Sequence, residues 1–178
     1  MPASHYALFV TGPPASGKSS IAESIAQALP GFTLLQKDPL KEELYDDMPD
    51  NARKADAASR RLSNTALRVL WGHAANYPRV IVEANFRTLD PQERGRFQSL
   101  DANKLEVHCS CPFEVAMQRF ASRAAKRHPA HTVHDLSREI FQESQSPFRL
   151  SPVIEIDTTS PIDMTSLIRK ICTYWPEV

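Results

Sequence analysis

Short apolar runs alternate with longer amphipathic stretches along the whole chain. The first run, Tyr6–Thr11, is almost wholly apolar and predicts a buried strand. Four more runs have the composition of strands, and they cover residues 32–36, 80–82, 105–109 and 152–157. Five strands separated by helical segments predict an α/β fold, in which helices cover both faces of a parallel sheet.

Apolar residues recur at helical spacing in the segments between these runs. The first helix has an apolar face made of Ile21, Ile25, Ala28 and Leu29, and Pro30-Gly31 ends it. The longest helical pattern covers residues 51–76, and Asn51 is its expected N-cap. Three aspartates are expected to cap other helices, namely Asp38, Asp90 and Asp135.

A glycine-rich loop between the first strand and the first helix fits the phosphate-binding pattern G-x-x-x-x-G-K-[ST]. Its residues are Gly12, Pro13, Pro14, Ala15, Ser16, Gly17, Lys18 and Ser19, followed by Ser20. Lys18 can reach the β- and γ-phosphates, and the Ser19 hydroxyl suits Mg²⁺. Because proline has no N–H group, the later amides of the loop must form the phosphate cradle. The strand–loop–helix order favours a nucleotide site over a chance glycine-rich turn.

Two acidic residues are expected at the same edge of the sheet as this loop. Asp38 follows the second apolar run and Glu83 follows the third, and ligands bind outside the carboxyl ends of parallel strands. At that edge Asp38 can accept the proton of a substrate hydroxyl, and helix capping is its alternative role. Glu83 has the position of a Walker B acid, which holds Mg²⁺, and a buried acid favours a nearby cation.

Three further residues are expected to line the acceptor part of this cleft. Lys41 lies about one helical turn after Asp38, where it is available to a phosphate or to the substrate. Asn85 and Phe86 come shortly after Glu83, at the same end of the strand. Phe86 has an equal alternative as an ordinary core residue.

A basic stretch in the second half of the chain predicts a lid that closes over the nucleotide. It contains Arg119, Arg123 and Arg127, which are spaced four residues apart and would share one face of a helix. Bound phosphate would relieve the repulsion between these arginines, and a solvated basic face is the alternative.

Three histidines follow the arginines at H-x-x-H-x-x-H spacing, namely His128, His131 and His134. A zinc site is disfavoured, because Pro129 interrupts the helix that would align them and no cysteine or acid completes a ligand set. A mobile lid is the preferred interpretation of this segment.

Composition narrows the choice of partners and compartment. The 178 residues carry a net charge of zero with a pI of about 7.0, so no global field draws the protein to nucleic acid or to an anionic membrane. Three cysteines do not suggest a disulfide framework, and we expect buried or half-buried thiols in a reducing compartment. The chain has neither a signal-peptide pattern nor an apolar run of transmembrane length, which predicts a cytoplasmic protein without membrane association. The length predicts one domain, residues 1–178, and leaves the oligomeric state open.

Taken together, these segments resemble the small P-loop kinases. The resemblance rests on the phosphate loop, residues 37–41, residues 80–86 and the arginines before residues 127–129, and it covers nearly the whole chain. Similar groups are the AAA_33-type kinases, the zeta-toxin kinases, chloramphenicol phosphotransferase and the 5′-hydroxyl kinase domain of bacteriophage polynucleotide kinase. The resemblance implies a three-layer P-loop NTPase fold with a five-stranded parallel sheet and a short helical lid at about residues 123–138.

The resemblance also implies roles for individual residues. Asp38 matches the aspartate that activates the acceptor hydroxyl in those kinases. Lys41 matches a basic residue that contacts phosphate or substrate, but the polynucleotide kinase pattern has arginine there, which disfavours a polynucleotide acceptor. Arg123 and Arg127 match the lid arginines that clamp the transferred phosphoryl group, and Arg119 is expected nearer the adenine. The same resemblance favours ATP over GTP.

The predicted activity is Mg²⁺-dependent transfer of a phosphoryl group from ATP to a hydroxyl group of a small molecule. The expected catalytic residues are Lys18, Asp38, Arg123 and Arg127. Residues 12–20 and Arg119 are expected to bind the nucleotide, and the expected Mg²⁺ ligands are Ser19 and Glu83, although aspartate is more usual than glutamate in Walker B. The acceptor is expected to meet Asp38, Lys41, Asn85 and Phe86. Two alternatives remain: a 5′-hydroxyl nucleic-acid kinase and an ATP-binding regulatory protein that is not a kinase.

Overall fold

The computed structural model describes residues 5–53, 56–132 and 135–176, with only the backbone at residues 56–58. The strands are β1 (Tyr6–Thr11), β2 (Thr33–Gln36), β3 (Arg79–Glu83), β4 (Asn103–Ser110) and β5 (Val153–Asp157). The helices are α1 (Lys18–Ala28), α2 (Lys37–Asp46), α3 (Asp50–Arg53), α4 (Asp56–Ala74), α5 (Pro91–Ser99), α6 (Phe113–Arg123), α7 (Arg138–Gln142) and α8 (Met164–Tyr174). A short 3₁₀ helix, Ala124–Lys126, follows α6 directly.

The five strands form one parallel sheet in the order β2-β3-β1-β4-β5. The central strand β1 is completely buried, as its apolar composition requires. Its residue Val10 is paired with Glu83 on one side and with Val107 on the other. This register brings the carboxyl ends of β1, β3 and β4 to one edge, where the loop after β1 and the end of β3 lie together.

Successive residues of β1 point into two different cores, one on each face of the sheet. Leu8 and Val10 belong to a mainly aliphatic core that includes residues of α1 and α8 and the aromatic side chains of Tyr6, Phe32 and Trp175. Ala7 and Phe9 belong to a second core with residues of α4 and α5, which contains the aromatic side chains Phe9, Trp71, Phe86, Phe97 and Phe148. The predicted three-layer α/β fold, with helices on both faces of a parallel sheet, is therefore confirmed.

A third, smaller apolar cluster holds α6 and the segment around α7 against the phosphate loop. Ala15 of the loop packs in this cluster with Phe120 of α6, with Phe141 of α7 and with Leu136, which precedes α7. The cluster therefore fixes the position of the basic segment 119–132 relative to the loop.

The long helical pattern at residues 51–76 is divided in the structure. The helix α3 starts at Asp50, where the carbonyl of Pro49 accepts a hydrogen bond from Ala52 N at 2.9 Å. Asn51 therefore lies inside a short helix, and the prediction that it caps a long one is wrong. The helix α4 begins at Asp56, and residues 54–55 lie outside the described residues.

Of the three aspartates predicted to cap other helices, only Asp90 is confirmed. The Asp90 carboxylate accepts hydrogen bonds from the two backbone N–H groups at residues 92 and 93, at 2.9 and 3.1 Å. Asp135 does not cap a helix, because α7 begins only at Arg138. Ser137 is the N-cap instead, and its Oγ accepts from Ile140 N at 3.3 Å.

The three cysteines are free thiols, as predicted. Cys109 is buried, and burial raises the pKa of its thiol to about 12, while Cys111 and Cys172 are half-buried. Across residues 5–53, 56–132 and 135–176, no helix has the length and apolar character needed to span a membrane.

Candidate active site

The phosphate loop depends on glycine where the backbone of β4 approaches it. Gly12 has φ of +140°, and a Cβ atom there would lie 2.2 Å from the carbonyl oxygen of Cys109. Gly17 has φ of +84° immediately before α1. Ser16 N donates to Pro13 O at 3.2 Å, and Thr158 Oγ1 donates to Ser16 O at 2.7 Å. The loop is therefore stabilised by one hydrogen bond within it and by another from Thr158, which follows β5.

Lys18 and Glu83 form a buried pair below this loop. Lys18 Nζ donates to Pro13 O at 3.1 Å and lies 4.0 Å from Glu83 Oε1. Burial lowers the pKa of Lys18 more than the nearby carboxylates of Glu83 and Asp38 raise it. Burial likewise raises the pKa of Glu83, although Lys18 opposes the change. A bound triphosphate would compensate the buried charge of Lys18, and its cation would compensate that of Glu83.

The residues expected to hold Mg²⁺ offer the oxygen atoms that this cation prefers. Ser19 is exposed at the start of α1, and it lines the cleft beside Lys18. The buried Glu83 carboxylate accepts a long hydrogen bond from Gln36 Nε2 at 3.5 Å, so it is not saturated by protein donors. A hydroxyl and a carboxylate at this edge of the sheet fit a magnesium ion that also binds phosphate oxygens.

Asp38 lies in the first turn of α2 and not at its cap. The helix already begins at Lys37, the N-cap position belongs to Gln36, and no side chain caps it. The capping alternative for Asp38 is therefore wrong, and its carboxylate is exposed in the cleft. Desolvation in the cleft raises the pKa of Asp38, but the opposing charges of Lys37 and His131, and then of Lys18 and Lys41, hold it below its ordinary value. Asp38 is thus a carboxylate at neutral pH.

Lys37 is a contributor to the site that sequence reasoning missed. Its Nζ donates to Asn85 Oδ1 at 2.5 Å and lies 3.6 Å from Asp38 Oδ1. It therefore connects the start of α2 to the segment after β3, and both Lys37 and Asn85 line the main cleft. The residue precedes Asp38 directly, at the strand end, and that position was the available signal.

Phe86 does not line the cleft. Its side chain is completely buried and packs against Phe9, Trp71 and Phe148, with ring centroids 5.4–6.0 Å apart. The prediction of an acceptor contact is therefore wrong, and the core alternative holds. Asn85 faces the cleft and Phe86 faces the aromatic core because consecutive residues of an extended segment point in opposite directions.

The three arginines do not share one helical face, because α6 ends at Arg123. The 3₁₀ helix then leads to Arg127, whose backbone is extended and whose guanidinium lies 4.4 Å from the Phe120 ring centroid. Arg119 donates to Thr158 O at 2.6 Å and to Thr158 Oγ1 at 3.3 Å. The prediction that the three arginines share one helical face is therefore wrong. Arg123 and Arg127 nevertheless both line the main cleft.

The segment after Arg127 is attached to α2 through two histidines. His131 Nε2 lies 2.8 Å from Glu42 Oε1, and His128 Nε2 lies 3.3 Å from Asp46 Oδ1. Within the described residues no group of three histidine, cysteine or acidic side chains is arranged to hold a metal ion. His134 lies outside the described residues.

Lys41 is also part of this attachment. It is buried, and its Nζ donates to Ser59 Oγ at 2.9 Å. Ser59 Oγ in turn donates to Ala130 O at 2.8 Å. Sequence reasoning missed Ser59 and His131 as contributors, because their partners lie 71 and 89 residues away in the chain.

Two cavities flank the phosphate loop. The main cleft, of about 510 Å³, lies between the loop, α2, α4 and residues 120–132, and Lys18, Asp38 and Lys41 line it. The second cavity, of about 500 Å³, lies between α1, α6 and the segment after β5, and its lining includes Ser20 and Arg119. Arg119 lines this second cavity and not the main cleft, whereas Arg123 lines both.

The parallel sheet, the glycine-rich loop and the lysine at the start of α1 define a P-loop protein of the kinase type. The model of the AAA_33 family, described as an AAA domain, matches residues 8–149. The chain therefore belongs to the AAA_33 family.

Solved structures show the same fold over nearly the whole chain. A protein of Chloroflexus aurantiacus J-10-fl, described as a candidate kinase, has 28% identity and a TM-score of 0.80, covering 96% of this chain and 98% of its own. The APS kinase CysC of Mycobacterium tuberculosis has 21% identity and a TM-score of 0.58, covering 99% and 100%. The shikimate kinase of Acinetobacter baumannii has 17% identity and a TM-score of 0.58, covering 96% and 92%. No curated protein sequence matches the chain.

Proposed function

We propose that the protein is a kinase that transfers the γ-phosphoryl group of ATP to a hydroxyl group of a small molecule, with Mg²⁺. The observation that carries the proposal is the position of Asp38. A carboxylate whose pKa is held low faces the same cleft as the phosphate-loop lysine and two arginines. Phosphoryl transfer requires mainly such positioning and charge stabilisation.

Each group has a defined part in this reaction. The acceptor oxygen forms a bond to the γ-phosphorus while the bond between that phosphorus and the β–γ bridging oxygen breaks, and ADP leaves. Asp38 orients the acceptor hydroxyl and takes its proton. Lys18, Arg123 and Arg127 stabilise the negative charge on the transferred group. Ser19 and Glu83 would hold Mg²⁺, which when bound neutralises charge on the phosphate oxygens.

The dimensions of the cleft support a small acceptor. A volume of about 510 Å³ falls within the usual range for small-molecule sites. Residues 128–131 cover the acceptor side through their contacts with α2 and α4. The net charge of zero also gives no general attraction for nucleic acid, in keeping with a small acceptor.

The proposal is tested by ADP release from Mg-ATP with a panel of hydroxyl metabolites, nucleosides, antibiotics and 5′-hydroxyl oligonucleotides. For an acceptor that stimulates release, Asp38→Asn should lower kcat by about 10²–10⁴-fold. Binding of a fluorescent ATP analogue should change little, since the phosphate loop is intact. Asp47→Asn, near the other end of α2 and exposed, is the matched control and should retain full activity.

The outcomes separate the parts of the proposal. A stimulating acceptor that remains active in Asp38→Asn would leave the kinase activity standing and refute the role of Asp38. ATP binding without stimulation by any acceptor would favour the regulatory alternative. A marked preference for oligonucleotides would favour the nucleic-acid kinase alternative.

A further inference from the structure

The amino group of Lys37 lies between two polar side chains of the main cleft. Lys37 is the first residue of α2, directly after β2, and Asn85 lies two residues after the end of the neighbouring strand β3. Lys37 Nζ donates to Asn85 Oδ1 at 2.5 Å and lies 3.6 Å from Asp38 Oδ1. Only 12% of the Lys37 side chain is exposed, so solvent has little access to its contacts. A single ammonium group therefore holds an amide and a carboxylate on one wall of the cleft.

The contact with Lys37 determines which way the Asn85 amide is turned. A lysine ammonium has three donors and no acceptor, so the amide atom that it meets must be the carbonyl oxygen. The NH₂ group of Asn85 is therefore turned away from Lys37. Across residues 5–53, 56–132 and 135–176, this NH₂ group donates to no protein acceptor, and it is not sealed from solvent. Because Asn85 lines the main cleft, these donors are accessible to a molecule bound there.

Lys37 acts on Asp38 through its charge. Desolvation in the cleft raises the pKa of Asp38, and Lys37 has the largest effect among the charges that lower it. Other charged groups act on the same carboxylate from α1, α2, β3 and residues 127–131, namely Lys18, Lys41, Glu83, Arg127 and His131. In the part of the chain that the structure describes, no protein donor forms a hydrogen bond with Asp38, although Lys37 lies close to it. The carboxylate is therefore ionised and available to a hydroxyl group in the cleft.

Asp38 and Asn85 offer opposite kinds of hydrogen-bonding group on this wall. The ionised carboxylate of Asp38 only accepts hydrogen bonds, whereas the NH₂ group of Asn85 only donates them. A hydroxyl group can donate to the carboxylate, and a second oxygen atom can accept from the amide. Because one ammonium group contacts both side chains, the two positions are close enough for oxygen atoms on neighbouring carbons, as in a vicinal diol or a hydroxy carbonyl compound.

We propose that Lys37 is a positioning residue of phosphoryl transfer and that it selects an acceptor with a second oxygen atom beside the reacting hydroxyl. The reacting hydroxyl donates to Asp38, which takes its proton as the oxygen–phosphorus bond forms and the bond to the β–γ bridging oxygen breaks. The neighbouring oxygen accepts from Asn85 Nδ2. The inference rests on the proposed kinase function and defines the class of its acceptor. Simple alcohols and deoxy compounds, which lack the second oxygen, are poor acceptors.

The first test compares matched acceptors that differ only in the second oxygen atom. Suitable pairs are glycerol with 1,3-propanediol, ribose with 2-deoxyribose, glucose with 2-deoxyglucose, and the acceptor identified by the ADP-release panel with its deoxy analogue. The readouts are ADP release and phosphorus NMR of the product. In the wild type, the member with the second oxygen should have a kcat/KM about 10-fold higher, the usual effect of one hydrogen bond. In Asn85→Ala this preference should disappear, while the deoxy members react as in the wild type.

The second test removes the ammonium group. Lys37→Met should lower kcat roughly 10²-fold, the usual effect of displaced reacting groups, with little change in binding of a fluorescent ATP analogue. Loss of the positive charge should also raise the pKa of Asp38. Because the reaction needs the ionised carboxylate, activity is lost as the pH falls through this pKa, and the loss should begin at higher pH in Lys37→Met. Lys37→Arg keeps the charge and should keep the wild-type pH profile. Lys170→Met, at an exposed lysine of α8, is the control and should leave kcat and the profile unchanged.

The effect of Lys37 on Asp38 can also be measured without an acceptor. The carboxyl carbon of Asp38 is followed by NMR during a pH titration of protein labelled with carbon-13 aspartate, and Asp38→Asn identifies its signal. The pKa of Asp38 should be higher in Lys37→Met than in the wild type and Lys37→Arg. His131 is present in all of these proteins, so its own titration cannot produce the difference. Lys37→Gln removes the charge but keeps a polar side chain, and it serves as a second variant if Lys37→Met does not fold.

Each result bears on a defined part of the inference. If Asp38 titrates at the same pH with and without the charge at residue 37, the positioning role of Lys37 is refuted. If deoxy acceptors are used as well as their partners, the acceptor class is wrong although the kinase proposal stands. If Asn85→Ala slows both members of each pair equally, Asn85 does not bind the second oxygen. If no hydroxyl compound is phosphorylated although ATP binds, the kinase proposal fails, and the inference fails with it.

Discussion

The addition of a single methyl group at Gly12 should strongly lower the stability of this fold. In Gly12→Ala, the new Cβ would lie 2.2 Å from the carbonyl oxygen of Cys109 and 2.8 Å from Ser16 Oγ. The serine side chain can rotate, but the carbonyl belongs to the central part of the sheet and cannot move without displacing β4. In addition, φ of +140° is a conformation that residues with a Cβ rarely adopt.

The expected loss of stability combines these two effects. Backbone strain of this type costs about 1–3 kcal/mol, and overpacking of a filled interior costs about 1–3 kcal/mol more. The total of about 2–6 kcal/mol corresponds to a fall in Tm of roughly 5–20 °C for a chain of this size. ATP affinity should fall as well, because relief of the clash displaces the loop.

The assay is thermal unfolding followed by circular dichroism, together with titration of a fluorescent ATP analogue. Gly72→Ala is the matched control, because a Cβ there has no heavy atom within 4 Å and the residue is exposed within α4. The control should be neutral or more stable by roughly 0.5–1 kcal/mol, the usual gain of alanine over glycine in a helix. If Gly12→Ala melts within about 2 °C of the wild type and binds the analogue equally well, the argument from close approach is wrong.

Two further predictions concern buried residues outside the cleft. Burial lowers the pKa of His108, so the folded protein keeps this ring neutral while the unfolded chain binds a proton below about 6.5. The free energy of unfolding should therefore decrease as the pH falls through about 6.5. In His108→Gln, that part of the decrease should be absent, which urea unfolding of both proteins at several pH values would show. An identical pH dependence in the two proteins would contradict the burial of a neutral ring. Phe86→Leu should lower stability by about 1–3 kcal/mol through loss of aromatic packing and should leave the KM of the acceptor unchanged, and a raised KM in a variant of normal stability would return Phe86 to the acceptor site.

The sequence patterns predicted the structure correctly where a single contiguous segment determines it. The apolar run of β1, the glycine-rich loop and the helix after it are contiguous, so their order in the chain already defines their geometry. Asp90 is another local case, since a cap and the amides it accepts from are neighbours in sequence. The acidic residues at the ends of strands were placed correctly at one edge, because parallel strands bring their carboxyl ends together.

Predictions failed where the outcome depends on contacts between distant segments or on how far a helix continues. The four-residue spacing of the arginines suggested one helical face, but the helix changes to a 3₁₀ turn at Ala124 before Arg127 is reached. Phe86 could face either side of an extended segment, and only the aromatic core on one side decides between them. The attachment of Ala130 to Ser59 joins segments 71 residues apart, which no local pattern reveals.

The alternation of β1 between two cores makes the length of this strand as important as its composition. Deleting one residue of β1 before Leu8 would turn Phe9 toward the core of α1 and α8 and Leu8 toward the aromatic core of α4 and α5. Each side chain would then meet a space shaped for the other. The same deletion would draw the phosphate loop back by about 3.3 Å, away from the ends of the neighbouring strands. Insertions and deletions in related proteins are therefore expected in surface connections such as residues 47–49 and 75–78, and a change of length in β1 would require a compensating shift in its two neighbouring strands.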